Sequence, residues 1–185
     1  GAAARSAVLA RRGDRAAAVA AYRAYLDSAD GGPKGIEEYL GAARFLAQVA
    51  GPDDAVALLE SARDRQDPNT LEIDRTIGDL CFDAGKNEEA IQAYGRVLKA
   101  GIADPQQSVL KRIVESKLRL GQYADAEAMI SAAGDASSRD MVLHILAAQA
   151  QAGQNNLEGA RRSLDMAVAA EPDNFMGYLK RAEFT

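Results

Sequence analysis

The sequence predicts an all-α fold, an α–α superhelix of about five antiparallel helix pairs with a terminal half repeat. Three observations carry that reading. A small residue opening a helical apolar pattern recurs as Ala18, Ala55, Ala90, Ala126 and Ala160, in register at nearly even intervals along the chain. The flanks of these anchors agree in kind, and a glycine stands shortly before each. A nearly fixed period of this kind marks stacked supersecondary units, each unable to bury its apolar face alone.

The anchors define the second helix of each pair. Four residues beyond them stand Tyr22, Leu59, Tyr94, Ile130 and Leu164; seven beyond stand Ala62, Val97, Ala133 and Ala167, with Tyr25 the bulky exception. Positions i, i+4 and i+7 share one helix face, so each segment presents a stripe for burial. The first helix of each pair precedes Gly13, Gly51, Gly85, Gly121 or Gly153. Glycine is favoured just past a helix end because it takes the left-handed conformation without a Cβ clash. The stretches 13–18, 85–90 and 121–126 therefore read as tight turns between antiparallel helices.

Other signals separate the pairs. Asp67-Pro68 and Asp104-Pro105 set an N-capping carboxylate before a proline at the first helical position, and Gln107 completes a capping-box spacing from Asp104. Pro33, Pro52 and Pro172 mark further starts. The expected helices lie near 2–12, 15–29, 34–50, 52–66, 68–84, 87–101, 105–120, 123–133, 138–152, 156–170 and 174–184. They group into repeats near 1–32, 33–67, 68–103, 104–136 and 137–173, with the half repeat at 174–185, all in one domain of 185 residues.

Composition limits the function. The chain is 48% hydrophobic but only 5% aromatic, without Trp, and small side chains let helices approach closely. A net charge of -5 argues against a surface built to grip a polyanion, because nucleic-acid affinity comes largely from Lys and Arg neutralising phosphates. One cysteine, Cys81, cannot form an intramolecular disulfide. No run approaches the length of consecutive apolar residues that a membrane span needs, so no direct membrane insertion is expected, and the compartment, cytoplasmic or periplasmic, stays open. Phosphate loops, His-Glu-x-x-His, Gly-x-Ser-x-Gly and Cys-x-x-Cys motifs do not occur, and one His with one Cys makes no all-His or all-Cys metal site. No catalytic residue, metal site or cofactor is assigned.

The segments Ala-Gly-Lys-Asn-Glu-Glu-Ala-Ile-Gln-Ala-Tyr (84–94), Leu-Gly-Gln-Tyr-Ala-Asp-Ala-Glu (120–127) and Ala-Val-Ala-Ala-Glu-Pro-Asp-Asn (167–174) resemble tetratricopeptide repeats, and the resemblance covers essentially the whole chain. In that family the first helix bears a large aromatic and then a small residue, and the second bears the anchor alanine and a closing proline; Tyr39, Gly78 and Pro172 match those places. Asp74 and Leu110 stand where the aromatic belongs, and the fifth repeat has two extra residues in its turn. The nearest rival is the RNA-binding pentatricopeptide family, which residues 77–105 resemble and no other repeat does.

The resemblance implies a partner-binding concave face lined by first helices. Counting back from the anchors places Arg75, Asp79, Lys111, Arg112, Glu115 and Arg119 there, with Arg44 the equivalent in the second repeat. Arg75, Lys111, Arg112 and Arg119 are expected to form a cationic cluster or, equally, to make local ion pairs with acidic neighbours. His144, on a first helix, is read as a partly buried structural residue in preference to a ligand contact. Some family members clamp a peptide's terminal carboxylate with Lys, Arg and Asn on these helices. Here the Asn places hold Asp79, Thr76 and Arg112, so that clamp is not reproduced, and a partner with internal acidic side chains stays open. Cys81 reads as a packed small hydrophobe, and the pairs Asp53-Asp54 and Glu88-Glu89 as first-turn charges favoured by the helix dipole.

The expected function is a non-catalytic scaffold that binds a peptide or protein segment in its groove. The alternative is a spacer or assembly segment of a larger secretion or exopolysaccharide-export protein. RNA binding ranks below both, and an enzymatic role requires a catalytic domain outside this sequence. Residues 175–185 look like the first helix of a sixth pair, which suggests a piece of a longer array; no oligomeric state is assigned.

Overall fold

A computed structural model describes residues 8–9, 12–27, 35–63, 70–101, 107–134 and 138–184. Ten helices follow residue 12 there: α1 (Arg15–Asp27), α2 (Ile36–Val49), α3 (Pro52–Arg63), α4 (Thr70–Asp83), α5 (Asn87–Lys99), α6 (Ser108–Arg119), α7 (Tyr123–Ala132), α8 (Met141–Gly153), α9 (Leu157–Ala170) and α10 (Phe175–Glu183). The described residues contain no strand. Of the helix expected near 2–12, only Val8 and Leu9 are described as helical, and the starts expected at Pro33, Pro68 and Pro105 lie outside the described residues.

The chain divides into two compact units, residues 1–100 and 101–185. In the first, α2 pairs with α3 and α4 with α5, and α1 packs on α2. The anchors of this unit are buried. Ala18, Ala55 and Ala90 are wholly buried, and Leu59 and Tyr94, one turn further, are buried with them. At the α1 end, the Tyr22 ring lies 5.4 Å from Phe45 and 6.2 Å from Tyr25. Burial, with Tyr25 close by, raises the pKa of the Tyr22 hydroxyl.

In the second unit, α6 pairs with α7 and α8 with α9, and α10 packs on α9. Helix α8 is covered on two sides. Leu143, Leu146, Ala147 and Ala150 join Val114, Ala126 and Ile130, whereas Met141, Ile145 and Ala148 join Ala160, Leu164 and Ala167. A helix apolar around most of its circumference is one buried between neighbours.

The turns within pairs follow the expected chemistry at Gly13, Gly51, Gly85 and Gly121, whose φ values are all positive. The fifth pair differs. Gly153 is the last residue of α8, and Asn155, at φ 62°, takes the left-handed position two residues later. The two extra residues displace the turn, and asparagine tolerates that conformation better than most side chains. Gly153 serves packing instead: a Cβ there would lie 2.5 Å from the Tyr123 ring.

Several starts come later than expected. Asp140 caps α8 through its Oδ1, which accepts from Leu143 N at 3.1 Å, and Asn174 caps α10 by accepting from Met176 N at 3.1 Å. Helix α6 begins at Ser108 after Gln107, which has φ 51° and makes no side-chain cap bond.

Gly78 marks the tightest approach in the first unit. A Cβ there would lie 2.6 Å from the Tyr94 ring, and the Tyr94 hydroxyl donates to Asp79 Oδ1 at 2.6 Å. Adjacent residues thus admit the ring and satisfy its oxygen. Gly78→Ala should cost about 2 kcal/mol by overpacking, despite alanine's better helix propensity, and Tyr94→Phe about 1 kcal/mol for the lost hydrogen bond. Urea unfolding of the two variants checks both the size and the order.

Candidate functional site

First helices of successive pairs are neighbours: α2 with α4 in the first unit, and α6 with α8 and α8 with α10 in the second. Arg44 on α2 and Arg75 on α4 are exposed. Asp79, beside them on the expected face, accepts the buried Tyr94 hydroxyl, so this carboxylate is engaged within the fold.

A charge network that sequence reasoning missed lies at Asp74. Its carboxylate is buried, and Oδ1 accepts from Arg96 Nε of α5 at 2.6 Å and faces Arg63 Nη1 of α3 at 3.4 Å. Glu60 of α3 joins both guanidinium groups, at 2.6 Å to Arg63 and 3.6 Å to Arg96. Two acids and two arginines therefore tie α3, α4 and α5 together. The signal in the sequence was an aspartate where an aromatic was due; nothing local named its partners, which lie on the helices before and after its own.

Further ties join the same unit. Asp54 pairs with Arg23 of α1 at 3.1 Å, and Asp53 pairs with Lys86, the residue before α5. The first-turn acids of α3 thus serve other pairs as well as their own helix dipole. The bond to Asp53 raises the pKa of Lys86. Cys81 is buried on α4; burial raises its thiol pKa first, and the nearby Glu89 carboxylate adds to this. Less thiolate at a given pH means a less reactive sulfur, consistent with packing as its role.

In the second unit Lys111 Nζ lies 2.6 Å from Asp140 Oδ2, so the cap of α8 is also an ion pair with α6. Arg112 and Arg119 are exposed and Glu115 is half-buried, and their spacing of three and four residues sets them along one side of α6. His144 is buried, with Nε2 3.0 Å from the Ser138 carbonyl oxygen. Its place follows from the repeat, because Tyr39, Asp74, Leu110 and His144 succeed one another at the same interval as the anchors. His144 therefore fills the large-residue position of the first helix, and continuing the period would have found it.

Between α8 and α10 lies a cavity of ≈ 230 Å³ lined mainly by Ile145, Gln149 and Ala152 on one side and Lys180, Glu183 and Phe184 on the other. Its walls are largely apolar, and Lys180 and Glu183 pair with each other at 2.7 Å. Among the described residues no helix is long and apolar enough to cross a membrane.

A sequence profile of the tetratricopeptide repeat matches residues 40–107 and 112–175, well over half of the chain. The chain belongs to the tetratricopeptide repeat family. No curated protein matches it significantly. Among solved structures it is similar to MamA (41–end) from Desulfovibrio magneticus RS-1, at 20% identity and TM-score 0.65, over 80% of this chain and 82% of that one. It is also similar to a tetratricopeptide repeat protein from Parabacteroides merdae, at 16% identity and TM-score 0.68, over 99% and 70% of the two chains. A third similar structure is YrrB, described as having an unusual peptide-binding site, at 16% identity and TM-score 0.67, over 98% and 90%. These likenesses are of fold.

Within the family's pattern, Asp74 replaces an aromatic with a charge whose burial is offset by two arginines. Removing one partner of a fully buried pair costs roughly 3–5 kcal/mol, but both guanidinium groups are about one-third exposed and regain water, so Asp74→Asn should cost about 2 kcal/mol. Asp165→Asn, which breaks the exposed pair with Arg181, should cost under about 0.5 kcal/mol. Urea unfolding of the two isosteric variants gives the comparison.

Proposed function

We propose that this chain is a non-catalytic scaffold that holds a peptide or protein segment on the surface lined by its first helices, with no role for nucleic acid. The tetratricopeptide fold supports protein-interaction scaffolds generally. The observation that carries the finer reading is the cavity between α8 and α10, an apolar hollow with a polar rim of Gln149, Lys180 and Glu183. Apolar hollows with a few polar groups are the ordinary form of a recognition pocket. Its size suits one apolar side chain of an extended segment. The peptide-binding site of YrrB, on the same fold, supports a peptide as the occupant class.

Arg112 and Arg119, exposed on α6, favour a segment that also carries acidic side chains. Arg44 and Arg75 offer the same chemistry on the first unit. Lys111, Asp79 and His144 contribute mainly through structure, by pairing with the cap of α8, holding Tyr94 and filling the large-residue position.

Selection from a displayed peptide library should enrich sequences that pair an apolar residue with acidic ones. Ala152→Phe, which fills the cavity, and Arg112→Glu with Arg119→Glu should each weaken the selected peptide at least about tenfold, a loss of ~1.4 kcal/mol, with helical content unchanged. Enrichment of nothing, or affinity that both variants retain, would contradict this reading and favour a spacer.

A further inference from the structure

The residue that caps α8 also holds a cation on the neighbouring first helix. Asp140 divides its carboxylate between two tasks: Oδ1 accepts from Leu143 N at 3.1 Å, and Oδ2 lies 2.6 Å from Lys111 Nζ of α6. The chain around it is fastened too. The Asp140 carbonyl accepts from His144 N at 3.1 Å, and His144 Nε2 lies 3.0 Å from the Ser138 carbonyl oxygen. The carboxylate is therefore kept where Lys111 meets it, at a high effective concentration.

Capping does not require the charge. Asn and Ser cap a helix about as well as Asp, because one side-chain oxygen suffices. Lys111 stands beside Arg112 on α6, whose first turn carries no acidic residue, and the repeat register sets both on the face proposed above to take an acidic segment. The side chains of Lys111 and Asp140 are 22% and 21% exposed, so the pair is partly screened by water and within reach of a ligand. A ligand carboxylate that takes the place of Oδ2 leaves the Oδ1 cap intact.

We infer that Asp140 is an autoinhibitory counter-ion: in the chain alone it occupies Lys111, and it gives Lys111 up to a carboxylate of the segment bound on this face. This assignment rests on the reading of that face as a surface for acidic segments. Lys111 then becomes a recognition residue held in reserve as well as a structural cation. A part-exposed pair is worth up to a factor of about five, and a ligand that must displace Asp140 loses about that factor. The other charges along this stretch are Arg112 and Glu115 on α6 and Arg139 before the cap, and they stay the same in every variant that tests it.

The test is binding of acetylated hexaglutamate, with acetylated hexaglutamine as the uncharged comparison, followed by NMR titration of the 185-residue chain at low salt. Asp140→Asn, and separately Asp140→Ser, should bind hexaglutamate about fourfold more tightly than the parent, with helical content unchanged and hexaglutamine unaffected. Adding Lys111→Gln to Asp140→Asn should abolish the gain. Asp165→Asn removes the same charge from the exposed pair with Arg181 and should bind like the parent. No gain in either Asp140 variant, a gain that survives Lys111→Gln, or an equal gain in Asp165→Asn would overturn the inference. So would the absence of hexaglutamate binding by every variant, an outcome that leaves the scaffold reading to be judged by the library selection.

Discussion

The two helices of each pair can pack only as closely as the side chains between them allow, and here the limiting side chain is a methyl group. Ala18, Ala55, Ala90, Ala126 and Ala160 are all wholly buried. At Gly78 and Gly153 even that methyl is absent, and an aromatic ring from the paired or preceding helix occupies the space. Interaxial distance follows from the residues at the contact, so these positions set the geometry of each pair. Tyr94, one turn beyond Ala90, then lies against Gly78 of its partner helix, and within each unit first helices of successive pairs come side by side. The low aromatic content accords with this: most buried apolar residues among those described are alanine, leucine, isoleucine or valine.

Most of the fold was legible because repetition averages away local ambiguity. The five anchors, their flanks and the turn glycines all recur, so helix pairs and their order followed from the period. Gly153 shows the limit of giving one residue type a single meaning, since glycine serves both a left-handed turn and a close approach. Only the structure assigns the turn to Asn155 and the approach to Gly153. Helix starts were less legible where the cap is a single side chain, as at Asp140, since capping residues are also common in loops. Cross-pair contacts were least legible. Asp74 signalled an exception, but its arginines are identified only once α3, α4 and α5 are assembled.

Reading the expected face by register grouped residues whose surroundings differ. Asp79 holds the Tyr94 hydroxyl, Lys111 pairs with the cap of α8, His144 is buried, and Arg44, Arg75, Arg112 and Arg119 are exposed. Register fixes which way a side chain points and says little about what already stands there. The cavity between α8 and α10 was not foreseen, because its walls are ordinary apolar helix residues whose meaning depends on the gap between two first helices.

The dependence of the fold on methyl-sized contacts is tested most directly by placing leucine at two alanines of one helix. Ala126 of α7 is wholly buried against α6 and α8, and Ala128 is exposed two residues later. Both substitutions change helix propensity equally. In urea unfolding, Ala126→Leu should lower stability by about 2 kcal/mol or more through overpacking, and Ala128→Leu should change it by under about 0.5 kcal/mol. Equal, small effects at the two positions would contradict the claim that the anchor sets the spacing of the pair.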